Sequence, residues 1–120
     1  RLKQMRRTQI LKYLVNAISI NMLSSFPSRL DIQKLSDVYN FETMLTKIQS
    51  EIKEGILHSA IGHEQLANIL NVPLNRTTVE LKNDDTAIVA QYRGPRLEEG
   101  AKILPEGAAI EFYFVKVNRG

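Results

Sequence analysis

The sequence predicts an α+β fold, a single domain in which a mixed sheet of about five strands has helices packed on it. Three observations lead there. The chain has 120 residues at 43% hydrophobic composition, enough to bury one sizeable core and too few for two ordinary domains. Between Phe41 and Ile52 the apolar residues Met44, Leu45, Ile48 and Ile52 recur at helical spacing. The last third instead alternates short β-prone runs with Asn, Asp, Gly and Pro.

The elements follow in order. Ile10 to Ala17 is apolar and β-prone, and reads as a buried first strand ending at Asn16. Ser19 to Leu23 reads as a short helical turn closed by Ser24, Ser25 and Pro27, and Leu30 to Gln33 alternates like a second strand. The helix over Phe41–Ile52 meets a stop at Glu54-Gly55. Ser59 is the expected cap of a further helix, with Ile61, Leu66, Ile69 and Leu70 as its buried face and Pro73 beyond its end. Thr78–Leu81 and Thr86–Tyr92 are expected to pair as a hairpin across the turn Lys82-Asn83-Asp84-Asp85. The Ala-Ile-Val-Ala run in the second of these suggests burial on both faces. Arg93-Gly94-Pro95 breaks that strand, Arg96 to Pro105 is loop with a turn of helix, and Ile110 to Val117 is the last strand.

Charge and composition narrow the function classes. The net charge is +3, yet five of the 16 basic residues fall in the first twelve positions, which hold no Asp or Glu. The remainder carries 11 basic against 13 acidic residues. Residues 1–10 therefore read as a basic leader or linker, residues 11–120 as the functional domain, and net charge alone identifies no polyanionic partner. There is no cysteine, which excludes a thiol nucleophile and thiolate-held metal. No apolar run approaches the ~20 residues that span a bilayer, and no secretion signal is visible, so a soluble cytoplasmic protein is expected. His63-Glu64 opens like a zinc-protease helix, but Ala67 stands where the second histidine would be needed. No metal or other cofactor is expected. Neither a phosphate-binding P-loop nor a Gly-x-Ser-x-Gly elbow occurs.

Two segments carry the remaining chemistry. Ala60-Ile61-Gly62-His63-Glu64 puts one of two histidines at a helix start, beside a glycine that lets a ligand approach the backbone. Arg96-Leu97-Glu98-Glu99-Gly100 gathers a guanidinium and two carboxylates ahead of a glycine. Together they offer a proton donor and an anion clamp. Taken singly, both also suit blander roles, a capping histidine and a surface ion-pair cluster.

Five segments in order, Asn16 to Leu23, Phe26-Pro27, Ala60 to His63, Asn75-Arg76 and Arg96 to Gly100, resemble the viral anti-CRISPR ring nucleases and their cellular counterparts, which degrade cyclic tetra-adenylate. The resemblance spans roughly residues 11 to 118. The chain departs from the viral pattern at Ile18, in place of phenylalanine, and at Glu64, in place of aspartate.

That resemblance implies a two-fold homodimer holding one ring of four adenylates at its interface. By matching position, His63 resembles the general acid, and Arg96 and Glu99 the other catalytic residues. Asn16, Ser19, Asn21, Gly62, Arg76 and Gln91 match ligand-binding positions. The implied activity is metal-independent cleavage by a ribose 2′-hydroxyl, which switches off type III CRISPR signalling. The leader would suit fusion to an upstream ribonuclease activated by the same ring. Two alternatives stand beside the enzyme: a non-catalytic sponge for the same ligand, and a structural or nucleic-acid-associated module.

Overall fold

The run Lys12-Tyr13-Leu14-Val15 has the β-prone, apolar character of a strand hydrogen-bonded on both sides, and in the computed structural model it is the strand next to one sheet edge. The structure describes residues 11–23 and 28–119. The leader, Ile10 and the expected turn-closing residues Ser24, Ser25 and Pro27 lie outside them. The strands are β1 (Lys12–Val15), β2 (Ser28–Lys34), β3 (His58–Ala60), β4 (Thr86–Arg93) and β5 (Ala109–Arg119), in the order β2-β5-β4-β1-β3. β1 runs parallel to both β3 and β4, whereas β5 is antiparallel to β4 and β2. The α+β class and the mixed five-stranded sheet are therefore as expected.

Helix α1 (Phe41–Lys53) matches the expected span, and the Asn40 side chain caps it by accepting from Thr43 N–H at 2.8 Å. Its Met44 and Ile48 are buried, as their helical spacing predicts. They pack with Leu14, Ile88 and Phe112 of the sheet and with Leu66 and Leu70 of helix α2 (Glu64–Leu70). Both helices thus cover one face of the sheet. Lys12 on β1 reaches across to Glu51 on α1 at 2.8 Å, and Lys47 holds the other Glu51 oxygen at 3.0 Å. Among the described residues, no helix is long and apolar enough to cross a membrane.

Four expectations need correction. Thr78–Leu81 is not a strand: its one sheet-like contact is an isolated bridge from Leu81 to Leu23. The expected hairpin does not form, because β4 already has a ladder on each side, to β1 and to β5. Buried Asp85 instead ties the turn to β1, accepting from Lys82 N–H at 2.8 Å and from Leu11 N–H at 3.0 Å. The fifth strand is β3, which sequence reading assigned to a helix approach. Ser59 accordingly caps nothing; it lies in β3 and donates its hydroxyl to the Pro73 carbonyl at 2.6 Å. The helix begins at Glu64, with Ile61 buried outside it and His63 as its N-cap.

Candidate active site

Three parallel strands, β3, β1 and β4, end at the same edge of the sheet, and the carboxyl ends of parallel strands form a natural crevice for ligands. Asn16 follows β1, Gly62 and His63 follow β3, and Gln91 and Tyr92 close β4. The loop after β4 brings Arg96 and Glu99 over the same end. The result is a cleft of about 970 Å³ lined by Asn16, His63, Gln91, Arg96 and Glu99 among others. A shallower groove adjoins it, lined by Asn16, Gly62, His63 and Arg76. Asn16 and His63 line both, so they stand on the ridge between them.

Of the sequence-predicted residues, His63, Arg96, Glu99, Asn16 and Gln91 converge on the cleft, and Gly62 and Arg76 on the groove. Ser19 and Asn21 line neither. They lie at a 3-10 turn (Ile20–Met22), where Ser19 N–H points to Met22 Sδ at 3.3 Å.

His63 is an exposed N-cap whose Nδ1 accepts from Leu66 N–H at 3.3 Å. An acceptor nitrogen carries no proton, so this contact selects the tautomer with hydrogen on Nε2. A ring protonated on both nitrogens must release the Leu66 N–H. The cap and the imidazolium exclude one another.

Arg96, Glu98 and Glu99 are exposed, and none forms an ion pair among the described residues. The surface ion-pair cluster that the sequence suggested is absent there, and the guanidinium and carboxylates remain open to a ligand. Gln91 is partly committed, since its side-chain oxygen accepts from Arg93 at 3.2 Å while Arg93 Nε holds Glu111 at 2.6 Å.

Sequence reasoning missed how the Arg96 loop is held. Tyr92 Oη donates to the Pro95 carbonyl at 2.5 Å. At Gly94 the backbone passes so close to Ala108 that an added Cβ would lie 2.6 Å from its Cβ. The Gly-Pro pair both breaks the strand and presses the chain against the start of β5. Gly62 differs: an added Cβ would meet Arg76 Cγ at an ordinary 3.6 Å, so packing within the chain does not by itself demand glycine.

Comparison with known proteins gives a consistent family. The family model described as STIV B116-like matches residues 12–113. Among solved structures, B116 of Sulfolobus turreted icosahedral virus is 32% identical with a TM-score of 0.68, covering 88% of this chain and 97% of its own. No curated protein matches.

Proposed function

Since the chain belongs to the STIV B116-like family, and since its cleft unites an imidazole with an unpaired guanidinium and carboxylate, we propose that it is a ring nuclease for cyclic tetra-adenylate. The observation that carries this reading is the meeting of His63, Arg96 and Glu99 in one cleft from distant parts of the chain. The segments shared with anti-CRISPR ring nucleases support the same substrate.

A 3′–5′ phosphodiester of RNA has its own nucleophile in the neighbouring 2′-hydroxyl. The protein has to hold that oxygen in line with the leaving 5′-oxygen, neutralise charge gathering on phosphorus, and manage two protons. Arg96 supplies the planar fork of donors for the phosphoryl oxygens. Glu99, unpaired with Arg96, accepts the 2′-hydroxyl proton. His63 takes its second proton on Nδ1, leaves its cap and donates the Nε2 proton to the 5′-oxygen. The 2′-oxygen–phosphorus bond forms as the phosphorus–5′-oxygen bond breaks, giving a 2′,3′-cyclic phosphate and a free 5′-hydroxyl. Water is not consumed, and the step needs no metal.

In this reading the ring lies on the axis of a two-fold homodimer, which presents the same residues twice to a ligand of matching symmetry. Two His63 side chains cut opposite phosphates and release two linear di-adenylates, which ends type III CRISPR signalling by the ring.

The test is incubation of the purified protein with cyclic tetra-adenylate in excess EDTA, beside His63→Asn, with products identified by mass spectrometry. Di-adenylate bearing cyclic phosphate, lost in the variant, is expected. Tight binding without cleavage by either protein would assign a sponge instead, and strict dependence on added metal would overturn the mechanism.

A further inference from the structure

Gly62 joins the end of β3 to the catalytic histidine of this reading, and among the described residues its backbone groups take part in no ladder or helix bond. Lacking a Cβ, it restrains its flanking peptide planes little by itself, and a loose plane on either side would scatter the direction of His63. Two side chains remove that looseness. Asn16 Oδ1 accepts from Gly62 N–H at 3.2 Å and, together with Asn75 N–H on the Ile61 carbonyl of the same plane at 2.9 Å, fixes the plane before it. Arg76 Nε donates to the Gly62 carbonyl at 3.1 Å, fixing the plane after it. The two peptide planes on either side of one Cα are thereby held by residues 46 and 14 positions away.

Both holders are anchored. Asn16 directly follows β1, the strand between β3 and β4. Arg76 ends a strap from Pro73 that runs along the free edge of β3. Asn75 N–H donates to the Ile61 carbonyl at 2.9 Å, and Asn75 Nδ2 to the Ser59 carbonyl at 3.0 Å. Ser59 Oγ returns a bond to Pro73 at 2.6 Å. With Nε on the Gly62 carbonyl, Arg76 loses the side-on Nε–Nη fork for a phosphate and keeps only the end-on pair of Nη donors.

We propose that Asn16 and Arg76 are positioning residues that aim His63 by clamping the peptide planes on either side of Gly62. The inference deepens the ring-nuclease reading and rests on it for its kinetic arm. A general acid displaced by about 1 Å loses on the order of 10²-fold in rate, so the clamp acts on turnover more than on binding.

Arg76→Gln and Arg76→Met separate the two roles. Glutamine carries an amide nitrogen the same number of bonds from Cα as arginine Nε, so it keeps the donor without the charge. Methionine keeps the length and loses both. With cyclic tetra-adenylate as substrate, Arg76→Gln is expected to keep kcat near wild type. Arg76→Met and Asn16→Leu should each lose about 10²-fold in kcat with little change in KM. If Arg76 is instead a direct phosphate ligand, Gln and Met raise KM alike and leave kcat unchanged, which overturns the proposal.

A second readout needs no activity. Amide hydrogen exchange at Gly62 should quicken in Asn16→Leu, and the His63 ring ¹⁵N shifts should move in Arg76→Met and return in Arg76→Gln. Unchanged exchange and shifts in every variant would remove the clamp even if the wild type cuts the ring. Changed exchange and shifts in the variants, beside a wild type that cuts nothing, would keep the clamp and reject the ring-nuclease reading.

Discussion

His63 caps α2 with Nδ1 and, in the proposed mechanism, donates a proton from Nε2, and substitutions can divide the two roles. Alanine removes both the imidazole and the acceptor for Leu66 N–H, so His63→Ala should lose about 0.5–2 kcal/mol of stability along with cleavage. Asparagine is a strong N-cap and should keep stability near wild type while cleavage is lost just as fully. Denaturant unfolding of the pair checks this, and equal stabilities would mean that the cap contributes nothing. His63, Arg96 and Glu99 were legible through the resemblance of their segments to a known family, since each taken singly also suits a capping or surface ion-pair role. The sequence left Asn16 and Arg76 as ligand contacts, because a hydrogen bond to a distant backbone group depends on how strands and straps are aligned, which no local pattern encodes. It also chose Ser59 over His63 as the cap, since hydroxyls are the commoner N-caps.

Among elements, those with long periodic patterns were legible and those defined by their partners were not. α1 repeats its apolar residues over three turns, and β4 and β5 carry continuous apolar runs. β3 has three residues and no β-branched side chain; it is a strand because β1 offers it a parallel edge. Thr78–Leu81 alternates like a strand but finds no free ladder. The union of β4, β5 and β2 makes a sharper prediction. Glu111 on β5 accepts from Arg93 on β4 at 2.6 Å and from Tyr113 at 3.0 Å, with Lys34 of β2 at 3.3 Å. The Arg93 hydrogen bond first, then that of Tyr113, holds the carboxyl at about 2, against an ordinary 4.5. A pKa lower in the folded chain means a contribution fully present above the unfolded value and lost as pH falls through about 2. Denaturant unfolding from pH 4.5 down to about 2 should therefore fall less steeply for Glu111→Gln than for wild type; parallel curves would dissolve the network.

The same element logic applies to the bend after β4. The contact of Gly94 with Ala108 leaves no room for a methyl group, and forcing one in costs about 1–3 kcal/mol. Because the Tyr92–Pro95 bond lies in the same bend, Gly94→Ala should also shift Arg96 and lower cleavage beyond what lost stability explains. Thermal unfolding together with cleavage of the folded fraction separates the two effects, and a normal rate per folded molecule would show that the bend does not aim Arg96.

For the whole molecule, the parallel trio β3-β1-β4 explains why the site exists where it does, since all three chains turn at one sheet edge and deliver Asn16, His63 and Gln91 together. The antiparallel pair β5 and β2 supplies breadth and no site residue. The cleft is open on its outer side, and Ile103, in the loop just beyond Glu99, is 81% exposed. An aliphatic side chain so exposed in the loop that follows the cleft residues is what a shared two-fold pocket would bury. Sedimentation should then find a particle of twice the 13.7 kDa chain, and calorimetric titration of the His63→Asn variant should saturate at one ring for every two chains. Ile103→Asp would place a charge in that contact, so dimer formation and ring affinity should fall together while the fold of the isolated chain persists. A monomer that binds one ring per chain would mean that a single cleft suffices, and the two opposite cuts would then have to come from successive encounters with the same His63.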